Sequence, residues 1–250
     1  MLRAYFYKML RMPYLYIGIV GIVAVCSLRL LPSAYKGSDV AMEMEIIRYL
    51  DGYRKIFVIL GALPFAANFS DEWNSMVITN CITRKNVRKY SAANVVMCFL
   101  SSLAVVFIGM MIFVGIYSTF HPFYLPDNDS IFPPYDVLAA LGLPVLAEMA
   151  VTFVFAASCA MWAVMGLMMT AFFPSKYIAI CAPFVFSYAV DRIAMLLPDE
   201  LDLEALSLSH TELNALPAFL FANTVFAVIA LICGIVFTIA VERRVRNGFN

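Results

Sequence analysis

Apolar runs long enough to cross a lipid bilayer recur through this chain, and no other feature restricts its fold so strongly. They cover about residues 14–31, 55–69, 91–120, 137–173, 177–197 and 217–241. A helical span needs roughly 20 consecutive, mostly apolar residues, and all but the short second run reach or approach that length. Hydrophobic residues make up 63% of the chain and charged residues 14%, with a mean hydropathy of +0.86. Soluble globular chains carry about 45–50% apolar and about 25% charged residues, so too little polar surface exists here for solubility. The expected fold is an all-α integral membrane protein, one transmembrane domain over residues 1–250 with six spans.

Each connecting stretch refines that expectation. In residues 1–12, Leu2, Tyr5, Phe6, Met9 and Leu10 recur at helical spacing, with Arg3, Lys8 and Arg11 on the other face. Such a helix lies in the membrane interface with its bases toward anionic headgroups. The run at 14–31 exceeds the roughly 7–15 apolar residues of a signal peptide and is read as a retained span. In the loop at 32–54, Met42, Ile46, Ile47 and Leu50 predict a short external helix. Pro64 and Pro183 fall inside the second and fifth runs, where a proline kinks a helix and frees a carbonyl. The fourth run is longer than a bilayer requires, so it tilts, projects, or breaks near residues 142–144.

Charge sets the orientation. Arg3, Lys8, Arg11, Arg84, Lys85, Arg88, Lys89, Lys176, Arg243, Arg244 and Arg246 share the side of the termini with only Asp71, Glu72 and Glu242. Six bases and thirteen acids fall on the other side. Bases near span ends mark the cytoplasmic face, so both termini are expected in the cytoplasm of a cell, expected to be bacterial, whose membrane holds the chain.

Chemical signatures are sparse. No G-x-x-x-x-G-K-[ST], G-x-S-x-G or H-E-x-x-H occurs. The six cysteines form no C-x-x-C pair, so neither a disulfide framework nor a metal site is expected. The basic clusters next to spans read as orientation signals rather than nucleic-acid patches. Tyr14, Tyr16, Trp73 and Tyr90 suit an interfacial belt, and Tyr188, Asp191 and Arg192 an interfacial polar cluster. Glu148 is the one acid within a run: either a polar residue of a translocation path or a group near the outer boundary.

The longest polar interruption assigned to the cytoplasm is 68–90, NFSDEWNSMVITNCITRKNVRKY. Asp71 and Glu72 open it, and Arg84, Lys85, Arg88 and Lys89 close it. Trp73, Met76, Val77, Ile78 and Ile82 lie between, near helical spacing, and Asp71 is placed to cap a helix there. With the amphipathic N-terminal helix, six spans and cytoplasmic termini, this pattern resembles the permease subunit of ATP-binding-cassette (ABC) transporters of the type-2 exporter class. In that family the segment after the second span is a coupling helix that docks on a separate ATPase, often opening with an acid and ending with a base. Asp71-Glu72 and Thr83-Arg84-Lys85 stand at those places, although the family's Gly-Thr after the acid and its Pro-x-Ser-Arg are absent.

The resemblance implies that Asp71, Glu72, Trp73, Met76, Val77 and Arg84 face the ATPase. It also implies two P-loop ATPase subunits and a second permease, identical or homologous, as partners, and no catalysis, cofactor or metal in this chain. A hydrophobic or amphipathic cargo (lipid, peptide or antibiotic) suits spans rich in Met and Phe. An ion-coupled carrier and a membrane-embedded enzyme using Glu148 remain the alternatives.

Overall fold

The structure is a computed structural model that describes residues 2–30, 39–76, 78, 86–125, 134–194, 203–208 and 213–248. All regular structure among these residues is helical. Helices α1 (Leu2–Arg11) and α2 (Pro13–Leu30) meet at an elbow of 57°. Pro13 makes the break, because it disfavours helical backbone at Met12 and loses nothing by lacking an N–H at the first position of α2. The Tyr16 hydroxyl donates to Leu10 O at 2.9 Å, satisfying a carbonyl at the end of α1.

A helix, α3 (Val40–Tyr49), forms in the loop where one was expected. Its buried face, however, is Val40, Ala41, Met44 and Ile47 with Glu43 and Arg48, while Met42 and Leu50 are exposed. Of the residues whose spacing predicts the helix, Ile47 is buried and Met42 and Leu50 are exposed, because the charged Glu43 and Arg48 take places on the inner face. Asp39 caps α3 by accepting from Met42 N at 2.7 Å, and its second oxygen accepts from Leu125 N at 2.9 Å.

Then follow α4 (Asp51–Ala62), a turn at 63–67 that contains Pro64, and α5 (Asn68–Asn74). The long α6 (Val87–Tyr117) starts at Asn86, whose side chain accepts from Arg88 N at 3.1 Å. The fourth apolar run breaks where expected: α7 (Asp136–Ala140) ends at Gly142, which has φ +78°, and α8 (Pro144–Phe172) begins two residues on. A side chain there would strain that left-handed backbone. Helices α9 (Lys176–Ala194), α10 (Leu203–Ser207) and α11 (Ala215–Gly248) complete the order.

Three helices, Val87–Tyr117, Pro144–Phe172 and Ala215–Asn247, are long and apolar enough to cross a membrane, and the bent α1–α2 pair makes a fourth if it counts as one span. The other two expected spans fall on shorter elements. α4 has 12 residues, a rise of about 18 Å against a hydrocarbon core of about 30 Å. α9 has 19 residues and carries Lys176, Asp191 and Arg192. Both nevertheless run between the two ends of the bundle. α9 follows Pro174, whose carbonyl accepts from Asn74 at the end of α5 (3.2 Å), and near its far end Asp191 pairs with Lys55 at the start of α4.

α8 is the central helix: 83% of its most apolar window is buried inside the protein, against 44% for α6 and 33% for α11. Small residues make that possible, since Ala156, Ala157, Ser158, Cys159, Ala160 and Ala163 let neighbouring helices approach. The tightest approach is at Gly166. A Cβ added there would collide with Ala179 O and lie 2.6 Å from Pro183 Cγ. Pro183 has no N–H to return to Ala179 O, so the helix is locally opened where α8 packs against it. Gly166→Ala is therefore expected to lower stability by about 1–3 kcal/mol. Thermal unfolding in detergent measures this, and an unchanged midpoint would show that α9 yields freely.

Candidate functional site

α5 starts three residues before Asp71, with Ala67 as its N-cap and no side-chain cap bond. Asp71 therefore lies in the first turn rather than at the cap, where its charge suits the positive end of the helix. The helix stops at Asn74, and Ser75 N–H donates to Asp71 O at 3.0 Å. Met76 then adopts φ +59°, a region that bulky residues rarely enter, and its side chain is 73% exposed. Local strain of this kind gathers at contact and switch sites.

The expected contact residues separate by face. Asp71 and Met76 are exposed. Trp73 is half-buried, 5.9 Å from the Phe69 ring centroid, with the Arg244 guanidinium 4.8 Å above its own ring. Glu72 is buried and turns into the bundle. Val77 and Arg84 lie outside the described residues, as do Thr83 and Lys85.

Glu72 is the centre of a polar network. Its Oε2 accepts from the Tyr5 hydroxyl at 3.0 Å and the Tyr90 hydroxyl at 2.7 Å. Its Oε1 pairs with Lys8 Nζ at 2.7 Å. Lys8 also donates to Asn68 Oδ1 at 2.5 Å, Asn68 donates to Asn94 Oδ1 at 2.6 Å, and Asn94 donates to Tyr90 O at 3.1 Å. One buried carboxylate thus joins α1, α5 and α6.

α11 closes the other side. Phe69 packs edge-on against Phe237 at 5.3 Å. Arg244 donates to Ala171 O at 2.9 Å and Phe172 O at 3.1 Å, the free carbonyls ending α8, where a cation also suits the helix dipole. Arg88 pairs with Glu242 at 2.7 Å. Both ends of the described chain therefore meet at α5. From sequence, Lys8 and Arg244 were read as headgroup charges, and Tyr5 as one residue of an apolar stripe. Asn94 within an apolar run was the one available sign of a buried network.

Two charged clusters lie at the opposite end. Arg48 grips Glu148 with both nitrogens, Nη1 to Oε1 at 2.5 Å and Nη2 to Oε2 at 3.1 Å, and both side chains are 2% exposed. Thr152 donates to Glu148 at 2.9 Å, and Glu45 accepts from Arg48 at 3.1 Å. Burial acts to lower the Arg48 pKa, but the carboxylates of Glu148 and Glu45 outweigh it and hold the guanidinium above its ordinary value. Glu148 thus joins α8 to α3 through Arg48, buried from solvent.

In the second cluster Asp191 pairs with Lys55 and, at 3.4 Å, with Arg54, while Arg54 also pairs with Asp51 at 2.9 Å and with Glu204 of α10. Arg54, Lys55, Asp191 and Glu204 line a cavity of about 10 Å³ together with Ser158 and Ser187, room for about one water. Of the expected interfacial group, Asp191 belongs to this cluster, whereas Arg192 stacks on Tyr188 at 4.9 Å. No group of three or more His, Cys, Asp or Glu able to hold a metal occurs among the described residues.

Long apolar helices around a small-residue central helix, with buried ion pairs near the two ends of the bundle, define a multi-pass, all-helical membrane protein. Comparison of the chain with protein-family models, curated protein sequences and solved structures finds no match to any of them.

Proposed function

We propose that this chain is the membrane-spanning permease subunit of a type-2 ABC exporter, with α2, α4–α5, α6, α8, α9 and α11 as six passes. One observation supports this above all: α5 is bonded to α1, α6, the α8–α9 turn and α11, yet leaves Asp71 and Met76 facing outward. A short helix fastened on its inner side to so many helices can carry a push from a docked partner into the bundle. Contacts of both α1 and α11 with α5 support an even number of passes between them. The bases around that end support a cytoplasmic position for it under the positive-inside rule.

ATP hydrolysis in this scheme occurs on a separate P-loop ATPase, two copies of which serve a pair of permeases. The cargo is hydrophobic or amphipathic and crosses toward the outer side. Glu148 is committed to Arg48 and Thr152 and has no part in the scheme as a proton carrier.

Copurification from native membranes is expected to recover a P-loop ATPase. Met76→Asp, a change at an exposed side chain, is expected to weaken that association roughly tenfold or more while leaving the permease folded. A purified single chain that moves cargo without nucleotide, or undiminished ATPase binding by Met76→Asp, counts against the assignment.

A further inference from the structure

An open surface groove of about 500 Å³ runs along the elbow between α1 and α2, lined by Ala4, Tyr7, Lys8, Arg11, Met12 and Pro13. We infer that this groove binds the headgroup of an anionic phospholipid and that Lys8 transmits its occupancy to α5. The inference rests on the multi-pass membrane fold and is independent of a partner ATPase.

Charge is the first ground. α1 carries Arg3, Lys8 and Arg11 and no acid. Arg11 is exposed and forms no ion pair among the described residues. Lys8 has three ammonium donors, of which Asn68 and Glu72 take two. Its side chain is still 39% exposed, leaving the third donor available at the groove. The rim is the second ground. Phe6, Tyr7, Leu10 and Tyr14 are exposed around the same elbow, a surface suited to acyl chains and ill-suited to a free anion in water. The elbow is also preset by Pro13 and by the Tyr16–Leu10 bond, so a headgroup meets a formed site.

A phosphodiester in the groove competes with Glu72 for Lys8. Glu72 then keeps its tyrosine donors but shares its cation, which loosens α1 from α5. Membrane composition is thereby coupled to the element that faces the proposed partner.

The test titrates the purified full chain in zwitterionic detergent with short-chain phosphatidylglycerol, short-chain phosphatidylcholine and inorganic phosphate. Phosphatidylglycerol is expected to bind preferentially. Arg11→Gln and Arg3→Gln are each expected to weaken it roughly fivefold, the effect of one base near an anionic surface. Arg11→Lys keeps the charge and retains binding, and Arg246→Gln, at the other end of the chain, leaves it unchanged. Hydrogen exchange of α5 is expected to rise with phosphatidylglycerol in the parent and not in Lys8→Gln. Equal binding of the two lipids overturns the proposal, as does undiminished binding by Arg11→Gln. Phosphate binding as tightly as phosphatidylglycerol shows a soluble-anion site instead. Unchanged exchange at α5 removes the link through Lys8.

Discussion

Arg48→Ala is expected to destabilise the protein by about 3–5 kcal/mol, the usual cost of leaving one partner of a buried ion pair without the other. The two-pronged contact with Glu148 at 2.5 and 3.1 Å, the 2% exposure of both side chains and the added bond from Thr152 leave the carboxylate no solvent to turn to. Glu148→Ala is expected to cost as much, because the buried guanidinium then keeps only the carboxylate of Glu45 and the hydroxyl of Thr152. Arg48→Lys is expected to fall between, since an ammonium cannot reproduce the planar fork. Arg48→Met combined with Glu148→Leu is expected to restore most of the loss, because apolar replacements of similar volume often match a buried pair. Unfolding of each variant in detergent gives the comparison. A parent-like midpoint for Arg48→Ala means that the pair does not clamp α3 to α8.

The same pair shows how far the sequence can be read. A helical membrane fold and a helix in the loop at 32–54 follow from local pattern, and so does the break at 142–144 as one of three ways to fit the long fourth run, because apolar length, Gly142 and the spacing around Ile47 act within a few residues. Pairing across the fold does not. Arg48 and Glu148 are 100 residues apart, and no period or motif in the sequence joins them. Glu148 was visible as an anomaly inside an apolar run, but its partner sat in a stretch that read as solvated loop. α3 shows the consequence: the structure buries Arg48 and exposes Met42, and the spacing of apolar residues carries no sign of either.

At α5 the residue types were legible and their directions were not. Asp71, Glu72, Trp73 and Met76 are neighbours in sequence, and a short helix sends neighbours to different sides. Which side is inner depends on Tyr5, Tyr90 and Arg244, all supplied by distant helices. The second apolar run had a similar fate. Pro64 was visible, but the length left to α4 after the turn at 63–67 depends on where α3 ends at Leu50.

Glu72→Ala is expected to separate partner binding from the motion that binding drives. The carboxylate accepts two buried tyrosine hydroxyls and holds Lys8, whereas Asp71 and Met76 point away from it to the surface. Hydrogen bonds to a charged group contribute roughly 1.5–3 kcal/mol each, so a loss on the order of 3 kcal/mol in the docking of α1 and α6 on α5 is expected. Tyr90→Phe removes one donor and is expected to show a weaker form of the same defect. The outer face of α5 is untouched in both, so ATPase binding should stay close to that of the parent. The measurement is nucleotide-dependent hydrogen exchange in the permease–ATPase complex. In the parent, nucleotide is expected to change protection in α5, α1 and α6 together; in Glu72→Ala, in α5 alone. Met76→Asp gives the complementary result, with α1 and α6 still joined to α5 but no ATPase to move it. If nucleotide still changes protection in α1 and α6 of Glu72→Ala, the network only holds the helices in place, and the force must pass through the Arg244 and Phe237 contacts of α11.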